Sequence, residues 1–267
     1  MAISETSPTR PGPSASSQKG RTSFGILGAI SLSHLLNDMI QSLILAIYPL
    51  LQSEFSLTFV QIGMITLTFQ LTSSLFQPVI GYITDKRSMP WSLPVGMCFT
   101  LSGLVLLALA GSFGTVLLAA ALVGTGSSVF HPESSRVARM ASGGRHGLAQ
   151  SIFQVGGNFG SSLGPLLAAV IIAPYGKGNV AWFVLAALLA IVVLAQVSRW
   201  YAAQHRMAKG KPKATIINPL PKNKVILAVC ILLMLIFSKY FYMASISSYY
   251  TFYLMQKFGL SVQNAQI

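Results

Sequence analysis

The sequence predicts an all-α polytopic membrane protein, and three observations carry that expectation. Hydrophobic residues make up 53% of the chain and charged residues only 9%, with a mean hydropathy of +0.64, whereas soluble domains are about a quarter charged. The apolar residues come in runs long enough to cross a bilayer, which takes about 20 helical residues. The basic residues are segregated: of 18 Lys and Arg, all but Lys177, Lys239 and Lys257 fall in the amino tail, in the even-to-odd connections between runs or at the span ends that adjoin those connections. That bias sets membrane orientation, with the basic side cytoplasmic. A net charge of +13 distributed in this way is topology and not a nucleic-acid surface.

Residues 1–22 are rich in Ser, Pro, Thr and Gly and carry Arg10, Lys19 and Arg21, the composition of a disordered basic cytoplasmic tail. No apolar segment precedes a cleavage site, so this is not a secretory signal. The first span runs from Phe24 to about Leu51 and carries His34, Asn37, Asp38 and Gln41 at i, i+3, i+4 and i+7, on one helical face. The second, from Thr58 to Thr84, places Gln70, Ser74 and Gln77 on one stripe, with Pro78 as a kink. A loop from Asp85 to Pro90 leads to a nearly featureless third span, Trp91 to Ala110. The fourth, Phe113 to His131, contains the small residues Gly124 to Ser128, suited to close packing.

The stretch from Phe130 to Pro165 reads as a short cytoplasmic loop with Arg136, Arg139 and Arg145 against one acid, Glu133, followed by a fifth span from Gly147 to Ala173. On that helix Gln150, Gln154, Asn158 and Ser161 form a polar stripe, and Gly156, Gly160 and Gly164 form a tandem small-residue stripe. Pro165 removes a backbone donor and is expected to bend the helix near Ser161. Span six covers Asn179 to about Ala203, a basic linker with three prolines occupies 204–223, and span seven runs from Lys224 to about Met255. Phe258-Gly-Leu-Ser begins another helix and echoes Phe55-Ser-Leu-Thr at an offset of 203 residues, where a parallel repeat would place it. Cys98 and Cys230 lie in apolar runs and read as small buried hydrophobes, without a disulfide framework or metal-ligand spacing.

GxxxGP at Gly160 to Pro165 resembles the glycine-proline motif of major facilitator antiporters, and GYITDK at Gly81 to Lys86 resembles the GxxxD(R/K) motif between spans two and three of that superfamily. The longer string FHPESSR…GGRHGLAQSIFQVGGNFGSSLGP resembles the fosmidomycin resistance family of drug efflux transporters, over roughly Phe24 to the end. Two departures stand out: Arg87-Ser88-Met89 replaces the usual Gly and basic pair, and span four lacks the arginine that many relatives carry. The resemblance implies an N-terminal six-span half at 23–203, an inter-half linker at 204–223, and the start of a C-terminal half at 224–267, span seven and the beginning of span eight. It also implies a monomeric transporter of the bacterial inner membrane, exporting a small anionic drug or a phosphonate in exchange for protons. Because such transporters rock one half against the other, the chain is expected to be part of a protein of roughly four hundred residues and not to transport alone. A membrane unit that only packs against partner helices is the alternative.

Asp38 is the foremost functional candidate. It lies about 21 Å along the first helix from Phe24, where an ionised group costs at least about 2.5 kcal/mol and marks an ion or proton pathway. With His34 one turn away it reads as the proton-coupling pair; a structural Asp bonded to Asn37 is the competing reading. Lys239 lies about 22 Å along span seven, at similar depth, and either pairs with Asp38 or meets an anionic substrate. Asn37, Gln41, Gln70, Gln77, Gln150, Gln154, Asn158, Tyr240 and Tyr242 are candidate substrate contacts, with interhelical bonding the plainer role for the amides. Tyr249, Tyr250 and Tyr253 fit an outer aromatic belt.

Gly81, Asp85, Lys86, Glu133, Arg136, Gly160, Gly164 and Pro165 are the gating candidates. The resembled motif latches the halves through the Asp, and here Arg136 or Arg139 is its candidate partner. His131 and Glu133 flank Pro132 as packing or gating residues; no second His stands one turn away as in HExxH, so no metal and no cofactor are expected. An intramembrane enzyme would need a nucleophile with a base, or a metal triad, and neither pattern occurs in the sequence.

Overall fold

The computed structural model describes residues 21–208 and 221–266, so the expected disordered tail and most of the expected 204–223 linker lie outside the described residues. All regular structure among the described residues is helical. Among the described residues six helices are long and apolar enough to cross a membrane, and a seventh, α4, is apolar but only 17 residues long.

Helix α1 spans Phe24–Ala46, about 35 Å at helical rise. It stops earlier than the apolar run suggests. Pro49, near the start of a separate short helix α2 (Tyr48–Phe55), cannot donate to the preceding turn, and the chain breaks at Ile47. Helix α3 (Phe59–Lys86) opens with a capping box in which Thr58 N donates to Gln61 Oε1 at 2.9 Å and Gln61 N to Thr58 Oγ1 at 3.3 Å. Asp85 and Lys86 are therefore its last turn and not a loop. Helix α4 (Ser92–Ala108) follows.

Helix α5 (Phe113–Ala141) corrects the expected loop more strongly. Pro132 does not end it, and Glu133, Arg136 and Arg139 stand on its last three turns. The true connection is Ser142 to Arg145, where Gly143 and Gly144 take φ of 57° and 89°, values that favour residues without a Cβ. Helix α6 (His146–Leu167) passes through Pro165 and widens into a π-helical turn at Ala168–Ile172. The irregularity lies after the proline and not at Ser161. A 3-10 turn (Lys177–Trp182) leads into α7 (Phe183–Ala208), and α8 (Lys222–Phe258) precedes the short α9 (Val262–Gln266).

The tightest helix pair is α1 with α6, and the glycine stripe explains it. A Cβ on Gly156 would sit 2.1 Å from Ser31 O, one on Gly160 2.1 Å from Leu35 O, and one on Gly164 2.0 Å from Ser42 Oγ. Only hydrogen at these positions lets the backbones meet. Gly81 has no such role, since its Cβ would meet no atom within 4 Å. The core of Leu27, Ile40, Ile65, Met97, Val123, Phe130 and Phe153 fills the space between α1 and α3–α6, while Leu67, Leu75, Val192 and Leu227 face outward, as expected where hydrocarbon is the solvent. Cys98 and Cys230 are also exposed, correcting their reading as buried. Helix α8 is exposed along nearly its whole length, with Ser248 and Phe252 as its buried residues.

Candidate functional site

Asp38 on α1 is the centre of a cluster drawn from two helices. His34 Nε2, one turn away, lies 3.2 Å from Asp38 Oδ2, and His131 Nε2, on α5, lies 3.6 Å from Oδ1. Asn37 Nδ2 donates to the same carboxylate at 3.0 Å.

Each ring is held from behind. His34 Nδ1 is 2.8 Å from Phe153 O, and its ring stacks on Phe153 at 4.0 Å between centroids. Gly157 makes room for it, since a Cβ there would come within 2.4 Å of the imidazole. His131 Nδ1 is 3.1 Å from Ser127 O, while the Ser127 hydroxyl donates to Gln41 Oε1 at 3.3 Å. A carbonyl oxygen only accepts, so His34 Nδ1 carries a proton; His131 Nδ1 also lies 3.2 Å from the Ser127 hydroxyl, and both Nε2 atoms face Asp38. A buried carboxylate is thus met by two nitrogens whose neutral form offers lone pairs. A cation, a proton or a metal ion, shared among the three would neutralise the carboxylate.

The cluster opens onto a cavity of about 1470 Å³ between α1, α3, α5, α6, α8 and α9. Asp38, Gln41, Gln70, Gln77, His131 and Tyr240 line it, together with Ser127, Ser161 and Pro165. Asn37 and His34 are buried behind this surface, so Asn37 supports the carboxylate and is not a cavity contact. Gln150, Gln154 and Asn158 stay outside the lining; they are exposed on the α6 stripe that Ser161 continues, with Gln154 Nε2 donating to Asn158 Oδ1 at 3.1 Å. Lys239 and Tyr242 are also outside it. Lys239 is exposed, lies over the Tyr240 ring at 5.5 Å, and makes no ion pair with Asp38. A charge at matching depth need not share a face, and here α8 turns Lys239 away. Tyr250, assigned to the outer belt, lines the cavity instead.

A second charged group sits at the ends of α3 and α5. Arg136 Nη1 donates to Thr84 O at 2.8 Å and lies 2.8 Å from Glu133 Oε1, while Nη2 pairs with Asp85. Glu133 is fully buried, whereas the Asp85 side chain is 75% exposed. Lys86 bonds to Tyr82 and lies over its ring, away from Asp85. At the opposite end Lys177 pairs with Glu54 at 2.8 Å and lies over Phe55 at 4.5 Å.

Taking Pro132 as a helix boundary leaves His131 at a span end, out of reach of Asp38. With α5 continuing to Ala141, His131 becomes an ionisable residue inside a span, which is itself a functional signal.

The sequence model of the Major Facilitator Superfamily matches residues 30–267. The chain belongs to this superfamily. Within it, the chain is 89% identical over 267 residues to the Fosmidomycin resistance protein of Escherichia coli (strain K12), covering all of this chain and 66% of that protein. It is 44% identical over 250 residues to the Uncharacterized MFS-type transporter YfnC of Bacillus subtilis (strain 168), covering 92% and 61%. The chain therefore spans somewhat less than two thirds of each relative. Among solved structures, a bacterial homolog to the human lysosomal transporter Spinster, inward-facing and occupied, matches with a TM-score of 0.70 at 18% identity over 91% of this chain and 56% of that one. Tetrameric PepTSo2 matches with a TM-score of 0.53 at 17% identity over 84% and 48%. These place the superfamily's helical fold on the chain.

Proposed function

We propose that the chain serves as part of an efflux transporter that exports a small, drug-like anion such as fosmidomycin in exchange for protons, with Asp38 and His34 as the exchanging pair. The observation that carries this reading is the cavity with a buried carboxylate held between two imidazoles at its wall. In hydrocarbon an ionisable cluster is retained at a cost of several kcal/mol and marks an ion pathway. The 89% identity to a Fosmidomycin resistance protein supports the cargo class.

In this reading residues 23–203 form the first half and 224–267 open the second. The Asp85 and Arg136 end faces the cytoplasm of a bacterial inner membrane, and the unit is monomeric. Gln41, Gln70, Gln77 and Tyr240 contact cargo, and Gln150, Gln154 and Asn158 extend its path. The Glu133, Arg136 and Asp85 group, with Gly160, Gly164 and Pro165, sets the helix positions that gate it. The exposed length of α8 favours a second reading, a membrane unit that only packs against partner helices.

The deciding experiment is growth of a fosmidomycin-sensitive bacterium expressing the chain extended by the third of its E. coli relative that it does not span, beside Asp38→Asn of the same protein. Protection by the first and none by the second, at equal membrane abundance, is expected. Equal protection by both would remove Asp38 from the mechanism, and protection by neither would favour the second reading.

A further inference from the structure

The cavity presents an electrostatic problem for the proposed cargo. Among the described residues no lysine or arginine lines it, Lys239 points elsewhere, and the group that does line it is a carboxylate. An anion entering a low-dielectric site needs a positive partner.

The cluster has the form of a ligand set that could supply one. One donor atom from each of His34, Asp38 and His131 lies within 4.8 Å of the other two; His34 Nε2 is 3.2 Å from Oδ2 of Asp38 and His131 Nε2 is 3.6 Å from Oδ1. Tetrahedral coordination with bonds of about 2.0–2.1 Å requires donors about 3.3 Å apart. Both imidazoles hold Nδ1 within hydrogen-bond distance of a backbone carbonyl and turn Nε2 to the Asp38 carboxylate, His34 to Oδ2 and His131 to Oδ1, the outer-shell pattern that fixes a metal-binding histidine. Asn37 steadies the carboxylate. Two histidines and one carboxylate are a three-ligand set that leaves a coordination position open, and Asp38 and His131 turn theirs to the cavity. The pattern is invisible in the sequence because its members come from two helices.

We propose that His34, Asp38 and His131 bind a first-row divalent cation such as Zn²⁺ or Co²⁺, whose open coordination position accepts an oxygen of the anionic cargo. The cation site stands on geometry alone; the cargo contact rests on the efflux reading above. Protons and the cation use the same lone pairs, so each displaces the other, the competition an exchanger requires.

The test is titration of the full chain, purified in detergent without a histidine tag, with Co²⁺, read by visible absorption and by calorimetry. Binding of one Co²⁺ per chain with a tetrahedral d–d spectrum, displaced by Zn²⁺, is expected. His131→Gln and Asp38→Asn should each weaken it at least about 100-fold, whereas His205→Gln, at an exposed position, should not change it. His131→Cys keeps a ligand and should retain the metal with a new sulfur-to-cobalt charge-transfer band, which a merely misfolded variant would lack. No cobalt bound by a chain of native helix content, or binding that follows His205 and not the cluster, overturns the proposal. Absence of cobalt binding alongside intact drug protection would overturn the cation site and leave the transporter; cobalt binding without protection would do the reverse.

Discussion

Asp38 on α1 and Asp85 on α3 are both aspartates within reach of a base on α5, yet they are held in opposite ways. Asp38 is mostly buried and meets two imidazoles, whose charge depends on what they bind. Asp85 is largely exposed and meets the permanent guanidinium of Arg136, which is shared with the fully buried Glu133. An imidazole can gain or lose a proton, whereas a guanidinium in a protein keeps its charge. In the proposed reading the first is a site that exchanges ligands and the second one that fixes helix positions, and both depend on where α1, α3, α5 and α6 pack.

The largest way to break this comparison is to remove the packing beneath the first cluster. Gly160→Val would drive a side chain into Leu35 O on α1; it is expected to abolish the folded bundle, read as loss of a monodisperse peak in detergent chromatography. Overpacking costs typically about 1–3 kcal/mol, and a backbone contact without room to yield exceeds that. Next is Arg136→Gln, which leaves Glu133 buried without its cation and should destabilise the chain by about 3–5 kcal/mol, seen as a lower thermal midpoint. Asp85→Asn removes the exposed arm of the same group and should cost no more than about 1 kcal/mol; an effect as large as that of Arg136→Gln would mean that Asp85 and not Glu133 anchors the guanidinium. Smallest is Lys239→Met in the extended chain, expected to leave drug protection unchanged because Lys239 touches neither the cavity nor Asp38. Loss of protection there would restore a cargo role to Lys239.

Particular residues show how far linear reasoning reached. The face carrying His34, Asn37, Asp38 and Gln41 follows from spacing alone, and so does the Gly156, Gly160 and Gly164 stripe, because helical periodicity is a local property. Arg136 was one of two candidates for Asp85, and only the register of α5 against α3 separated it from Arg139. Pro132 misled because proline biases the preceding residue away from helix without forbidding it in a long, well-packed span. Lys239 misled because depth along a helix says nothing of azimuth on a poorly packed one.

The sequence by itself determined that the chain is a bundle of membrane spans with its positive charge on one side, and that Asp38 is the costly residue at its centre. Composition and period suffice for this, since the bilayer imposes helices and penalises buried charge whatever their neighbours. Tertiary structure alone decided which partners reach that carboxylate. His131 arrives from 93 positions away because α5 stays helical through Pro132, and the His34 ring fits because Gly157 on α6 leaves it space. These are contacts between helices, set by packing angle and rotation, and no spacing within a single helix encodes them.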